Sequence, residues 1–462
     1  MVNYSCHVCQ KIFNQKGHYE THLKRRRPCK LDTTLEKLVE KKVKEVLKKL
    51  SNVKTHTIIE TFVGAGGSHL GFKKSGFQTI FVNDFWKESL ETLKLNNPEL
   101  EGKIVCEDII ELAKKDLCFE YNIKQGDLSV LIGGVVCKGF SLAGVRNPYD
   151  ERNYLYIQQL KLVEKLKPMI SIIENVPGMK NMKILSKKGI APISKLYKHF
   201  EESIEELCKE IDEVIIKHKN NRGQIIAVNK GCEGNKTQLE KEKYELEERR
   251  KNLEKDLDKY MYSVFDDIIE TYKELGYKVY DKILMCSNYG GYTNRKRLII
   301  VAVRNDISIE WKWPEITNSN EDESIPNLLT VKDAFDLLDY ETINSPINDP
   351  DNIPMKHQKT TIEKFKQINT DKKGSYSSRG SSNRLSFDKP APTLVPGHSS
   401  FQIHPSEHRS ITVREGAIIT GFPRDYKFVG SHSDRCVQIG NAIPFHLGNA
   451  LAKSCKELLD LI

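Results

Sequence analysis

Three short stretches of this chain carry side chains whose types and spacing suit bond-making chemistry. The first is Gly133-Gly134-Val135-Val136-Cys137-Lys138-Gly139-Phe140-Ser141. The apolar run 128–132 leads into it and reads as a buried strand, which the two glycines are expected to break just ahead of the thiol. A cysteine delivered at the carboxyl end of a buried strand stands where an α/β sheet places a nucleophile; the competing role is that of a small buried hydrophobe. The second stretch follows the strand 170–173 and reads Glu174-Asn175-Val176-Pro177-Gly178-Met179. A carboxylate at a strand end beside a thiolate is what acid-assisted nucleophilic chemistry requires. The third is Thr293-Asn294-Arg295-Lys296-Arg297, entering the strand 298–303. Arg295 and Arg297 occupy alternate positions and so point the same way, toward phosphates, a base carbonyl or surface carboxylates.

The elements upstream are suited to hold a nucleoside. A strand from Thr57 runs into Phe62-Val63-Gly64-Ala65-Gly66-Gly67 and then a helix. Small residues let a ligand approach the backbone, and the helix N-terminus offers free N–H groups to a carboxylate. The strand 79–82 ends in Asn83-Asp84-Phe85, which places an acid for ribose hydroxyls and a ring for stacking on adenine. The strand 103–106 ends in Glu107-Asp108, where Asp108 could accept a bond from an adenine amino group. Each acid alone is more often a cap or turn residue; three successive strand ends favour a nucleoside cofactor.

At the N-terminus stand Cys6, Cys9, His22 and Cys29. The spacing of the first three is that of zinc ligands, with Phe13 and Tyr19 where a ββα finger keeps its core rings. The segment resembles a C2H2-type finger in a Cys-Cys-His-Cys variant, a form found among proteins of large DNA viruses. The resemblance implies a structural Zn2+. Lys24-Arg25-Arg26-Arg27 and Lys30 form a charge run suited to phosphates. Leucines and valines at helical spacing over 31–50 then predict an amphipathic linker helix packed on the next domain.

At 462 residues, with 39% hydrophobic and 29% charged side chains, the chain has room for a large core and more than one domain. A net charge of +9 is compatible with nucleic acid. The 11 cysteines form no disulfide-like framework, no apolar run spans a bilayer, and no signal-peptide core is visible. The expectation is an intracellular protein, cytoplasmic or nucleoid-associated, that does not bind a membrane. Residues 180–260 interrupt the pattern with two charged helical stripes around the polar loop 219–236, read as a projecting helical hairpin with a solvated face. Residues 305–408 are rich in Asn, Asp, Pro, Ser and Gly and read as a small loop-rich domain. In it, Arg379, Asn383 and Arg384 supply donors for base edges or phosphates, and Ala391-Pro392-Thr393-Leu394-Val395 argues for a strand.

Taken in order, these stretches resemble the DNA (cytosine-5) methyltransferases. The likeness runs from about residue 57 to 459 and rests on TFVGAGG, the Asn83-Asp84-Phe85 acid, GGVVCKGFSLAG, ENVPGM, TNRKR, RSITVREGA with GFP, and QIGNAIP. It implies a Rossmann-like α/β methyltransferase fold at 55–304, a target-recognition domain at 305–408, and a return of 409–462 to the catalytic domain, preceded by the finger at 1–30 and the linker helix at 31–54. It implies S-adenosylmethionine held by Phe62, Gly64, Gly66, Gly67, Asp84, Phe85, Asp108, Leu155 and Asn441. It also implies double-stranded DNA with the target cytosine flipped out. Cys137 would attack C6, Glu174 would engage N3 and the amino group, Arg297 the O2 carbonyl, and Arg295 would hold the site. A monomer, with a restriction endonuclease as partner, completes the picture. A tRNA cytosine-5 methyltransferase and a DNA-binding homologue without turnover are the alternatives. Val136 and Lys138 replace the usual Pro and Gln around the cysteine, and Thr293 replaces a common Gln. Loss of proline loosens the thiol's loop, while Lys138 is placed to meet a phosphate or lower the thiol pKa.

Overall fold

The computed structural model describes residues 3–6, 8, 11–25, 42, 55–135, 151–185, 202, 206, 209–210, 213, 241, 244–249, 251–252, 261–338, 349–369, 383–394 and 401–462. The chain divides into two compact units, Met1–Thr55 and His56–Ile462.

In the first unit, β1 (Tyr4–Ser5) pairs antiparallel with β2 (Ile12–Phe13), and α1 (Lys16–Leu23) follows. Cys6 N donates to Lys11 O at 3.0 Å and closes the hairpin. Cys6 and His22 are both buried. The Phe13 ring lies 4.9 Å from the His22 ring and 6.0 Å from Tyr19, so the expected core rings do meet. Cys9, Cys29 and the helix expected over 31–50, apart from Lys42, lie outside the described residues. Among the described residues no group of three or more His, Cys, Asp or Glu could hold a metal ion.

The second unit is built on a seven-stranded sheet. Its strands are β3 (Thr57–Thr61), β4 (Gln78–Asp84), β5 (Ile104–Cys106), β6 (Val130–Gly134) and β7 (Ile170–Asn175), then β10 (Tyr277–Met285) and β11 (Lys296–Arg304). Between them a two-stranded ribbon pairs β8 (Lys183–Leu185) with β9 (Met261–Ser263). The spatial order is β10-β11-β7-β6-β3-β4-β5. Strands β3 to β7 run parallel, and β11 and β10 add antiparallel at one edge. Ile58 and Ile59 in β3, Val130, Leu131 and Ile132 in β6, and Ile170, Ile172 and Ile173 in β7 bury apolar side chains on both faces, as strands covered on both sides require. One face packs Ile59, Leu131 and Ile173 against Tyr156, Leu160 and Val163 of α5 (Leu155–Leu166). The other packs Ile58, Ile132 and Ile172 in the cluster that contains Phe72 and Leu451. These last two lie on α2 (Gly67–Lys74) and α9 (Phe445–Leu459).

Two sequence expectations need correction here. The glycines do not break β6: Gly133 pairs with Ile173 and Gly134 with Glu174 in unbroken register. Glycine is needed at 133 because a methyl group there would lie 2.7 Å from Gln159 Cδ and from Thr61 Oγ1. For the same reason of register, Glu174 and Asn175 belong to β7 rather than following it. The chain moves outward through β4 and β5, then returns to β6 on the other side of β3. That reversal opens a crevice at the carboxyl ends of β3 and β6, the position where open α/β sheets bind ligands.

The β8–β9 ribbon brings both ends of the 180–260 insertion together beside α5. There Tyr156 Oη donates to Asp267 Oδ2 at 2.6 Å and lies 2.9 Å from Tyr262 Oη. The described residues of the insertion include two helical stretches, and Glu210 of one faces Arg249 of the other at 3.8 Å. In 305–408 the described residues include short helices, Val331–Phe335 and Lys359–Lys366, and isolated bridges. Val331, Ala334 and Phe335 share one cluster with α7 (Val413–Thr420) and α8 (His432–Asn441), while Phe365 packs with Ile368 and Ile403. Arg384 does not face a nucleic acid. It is buried and donates to the carbonyls of Phe365, Ile368, His404 and Glu407 at 2.6–2.8 Å. A guanidinium carries five N–H donors in a fixed fork, enough to hold four backbone oxygens at once. No described helix is long and apolar enough to cross a membrane.

Candidate active site

One side of the crevice, where the residues expected to meet a base fall, is built from β6, β7 and the start of β11. Glu174 is the register neighbour of both Gly134 and Ile299. Its Oε1 accepts from Arg297 Nε at 2.5 Å, and both side chains are buried. Arg295, two residues earlier, is 5% exposed. Sequence reasoning left surface salt bridging open for this pair; burial closes that option for both. Asn175 Nδ2 donates to Val135 O at 3.2 Å, fixing the last described residue before Cys137. A methyl group at Gly134 would meet Glu174 Oε2 at 3.6 Å, Phe62 O at 3.7 Å and Ile443 Cδ1 at 3.5 Å. Three of the predicted motifs therefore converge on one glycine, three residues before Cys137. Cys137 and Lys138 themselves lie outside the described residues.

The other side, where the residues expected to hold a cofactor fall, is built from β3, β4 and β5. After β3 the backbone turns through left-handed conformations at Phe62 (φ 53), Gly64 (φ 54) and Gly66 (φ 91). Gly64 N donates to Asp84 Oδ2 at 2.9 Å, and Trp86 N to Oδ1 at 3.0 Å. Burial raises the Asp84 pKa, and the backbone N–H bonds from Trp86, Gly64 and Phe85 oppose it. The Phe85 ring stands 67% exposed beside this carboxylate. Asp108 caps α4 (Ile109–Leu112), with Oδ1 accepting from Ile110 N at 2.7 Å.

The glycines of this loop do different jobs. A methyl group at Gly64 would meet nothing within 4 Å, so a ligand can approach there. At Gly66 it would lie 2.4 Å from Leu93 Cδ1, and at Gly67 2.1 Å from Ile443 O. Gly66 thus makes room for Leu93, from the helix after β4, and Gly67 for the chain at Ala442 and Ile443. Asn441 is the exposed last residue of α8, and residues 442–444 cross from it to α9. Leu155 is the half-buried first residue of α5.

Sequence reasoning missed the side chains that hold these strand ends. Asn83 Nδ2 donates to Val105 O and Glu107 O at 3.1 and 2.8 Å, tying β4 to β5. Glu60, 1% exposed, accepts from Ser68 Oγ at 3.0 Å and pairs with His69 Nδ1 at 2.7 Å, which pins the first turn of α2 to the sheet. An acid inside an apolar strand, with a histidine nine residues on, was the available signal.

The chain matches known proteins in sequence and in fold. A family profile described as C-5 cytosine-specific DNA methylase fits residues 56–200 and 251–457. The chain is 27% identical to the Type II methyltransferase M.Eco47II of Escherichia coli, over 90% of this chain and 82% of that one. It is 25% identical to the Type II methyltransferase M.DdeI of Desulfomicrobium norvegicum, over 86% and 87%. In fold it is similar to a crystal structure described as that of a prophage-encoded DNA modification methyltransferase of Escherichia coli, with TM-score 0.54, 20% identity, and coverage of 88% of this chain and all of that one. With its ordered motifs meeting around Gly134 and a profile spanning most of its length, the chain belongs to the C-5 cytosine-specific DNA methylase family.

Proposed function

We propose that this DNA cytosine-5 methyltransferase acts through a covalent bond between Cys137 and C6 of a cytosine flipped out of duplex DNA. The observation that carries the reading is the buried Glu174–Arg297 pair, in register with the strand that leads to Cys137. Cytosine C5 is too electron-poor to take a methyl group directly. Addition of the Cys137 thiolate to C6 moves an electron pair onto C5. Glu174 favours that addition by protonating or hydrogen-bonding N3 and the exocyclic amine, Arg297 binds the O2 carbonyl, and Arg295 holds the site. When bound, S-adenosylmethionine supplies an electrophilic methyl group on sulfur. Loss of the C5 proton and of the C6–S bond then returns Cys137 as thiolate.

The cofactor-side residues fit that group. The open space over Gly64 admits a ligand against the backbone, Asp84 suits ribose hydroxyls, Phe85 offers a free ring face, and Asp108 suits an adenine amine. Phe62, Gly66, Gly67, Leu155 and Asn441 complete the lining. Residues 305–408 would read the target sequence, and the Type II relatives favour a restriction endonuclease as functional partner. For the first unit, the ββα order with Cys6 and His22 buried supports a structural Zn2+ held by Cys6, Cys9, His22 and Cys29.

Incubation with tritiated S-adenosylmethionine and DNA of mixed sequence should label cytosine at C5, and Cys137→Ala should abolish labelling. Label absent from every DNA, or retained by Cys137→Ala, would sink the reading. Zinc should be stoichiometric and lost on Cys6→Ser; a folded, metal-free N-terminal unit overturns the finger.

A further inference from the structure

The loop that delivers Arg295 and Arg297 is fixed along both sides. On its inner side, Cys286 N donates to Arg295 O at 3.0 Å and Gly291 N to Cys286 O at 3.2 Å. A methyl group at Gly291 would lie 2.3 Å from Cys286 Sγ, so the loop closes only with glycine there. Ser287 Oγ donates to Asn294 Oδ1 at 2.8 Å. Along its outer side lies a strip of the proposed recognition region. Ala391 N donates to Tyr292 O at 2.8 Å, Asn294 N donates to Ala391 O at 2.7 Å, and Thr293 and Ala391 form a parallel bridge. Thr293 Oγ1 adds a bond to Pro392 O at 3.3 Å. Thr293 is 2% exposed and Ala391 is fully buried.

Ala391 stands between Pro390 and Pro392. Proline lacks an N–H and biases the residue before it toward extended backbone. Residues 390–392 therefore own a single N–H, and it goes to the arginine loop. This short extended strip has no other way to pair, so the two segments hold one relative register.

We propose that Thr293 is a positioning residue coupling the recognition region to the two arginines: DNA bound by that region fixes residues 390–392, and through the bridge at Thr293 fixes Arg295 and Arg297 against the base. The inference rests on reading those arginines as base-side residues. It places the effect of Thr293 on commitment of the flipped base to the covalent adduct, and leaves cofactor binding and overall DNA affinity untouched. Thr293 acts through Arg295 and Arg297 and does not touch substrate.

The test is covalent trapping on a random-sequence duplex in which 5-fluorocytosine replaces cytosine, with S-adenosylmethionine present. Fluorine at C5 cannot leave as a proton does, so the adduct accumulates. Thr293→Val keeps the shape and removes the hydroxyl; Thr293→Ser keeps the hydroxyl. Thr293→Val should trap about 5-fold more slowly, the size of one neutral hydrogen bond, with Thr293→Ser within about 2-fold of the unaltered chain. Melting temperature should fall by no more than about 2–4 °C, the cost of that one bond, and S-adenosylmethionine affinity and affinity for unmodified duplex should not change. Trapping by Thr293→Val at the unaltered rate overturns the coupling, as does a loss of cofactor affinity equal to the loss of rate. No adduct with the unaltered chain would remove the covalent reaction itself, and the coupling with it.

Discussion

On the cofactor side of the crevice, backbone geometry shapes the site. Left-handed turns at Phe62, Gly64 and Gly66, N–H groups converging on Asp84, and the 442–444 segment seated against Gly67 leave few side chains to meet a ligand. On the base side, charged side chains do it: Glu174 and Arg297 are buried together across neighbouring strands, with Arg295 buried beside them. S-adenosylmethionine offers hydroxyls, a flat ring and a carboxylate, which backbone N–H groups and a few acceptors can hold. A cytosine undergoing addition develops charge on its ring, which the fixed charges of Glu174 and Arg297 are placed to stabilise. The two sides should therefore fail differently. The cofactor side is vulnerable to added volume, and the base side to lost charge.

The largest effect is expected at Glu174. Glu174→Gln keeps the volume and removes the acid, so turnover should fall on the order of 10² to 10⁴-fold while S-adenosylmethionine affinity stays within a few-fold. Parallel loss of cofactor affinity, by calorimetry, would break the division between the two sides. Next is Gly67→Ala, whose methyl group must displace the Ile443 carbonyl. It should cost about 1–3 kcal/mol in denaturant unfolding and weaken cofactor binding. Gly64→Ala meets no neighbour and carries only the left-handed strain of its φ of 54°, about 1 kcal/mol, so its loss of cofactor affinity should exceed its loss of stability. Equal behaviour of the two glycine variants would erase the distinction between packing and ligand access. Asp84→Asn replaces one of two oxygens that accept backbone N–H groups, and should weaken cofactor affinity about 10-fold with turnover at saturation preserved.

The smallest effect concerns His446, at the start of α9, against Gly421 and Tyr292 where the two sides are joined. Burial first, and then the nearby Lys74 charge, lower its pKa from 6.5 to about 4. The folded state holds this ring neutral where the unfolded chain protonates it. Its contribution to stability is therefore present above pH 6.5 and lost as pH falls from 6.5 toward 4. Linkage sets the loss at about 1 kcal/mol near pH 5.5, and His446→Met should flatten that part of the stability–pH curve. An unchanged slope in the variant would show the ring to be charged in the fold.

Much of this architecture was legible in the sequence because parallel strands covered on both faces read as continuous apolar runs. Chemistry-bearing residues then cluster at their carboxyl ends. The order of those ends, with Asp84, Asp108, Glu174 and the paired arginines, was fixed by chain connectivity, and so were the ββα order and core rings of the N-terminal unit. What periodicity cannot carry is which partner fills the space at each glycine, or where a long side chain finds its donors and acceptors. Gly133 looked like a strand breaker and proved to be a strand residue under Gln159 and Thr61. Gly66 and Gly67 looked like ligand cradles, yet their missing side chains make room for Leu93 and the Ile443 carbonyl. Arg384 looked like a nucleic-acid contact and proved to be a clamp on four carbonyls. Each reversal involves a contact between segments far apart in the chain, or between a side chain and backbone, and such contacts exist only once the sheet has set its register.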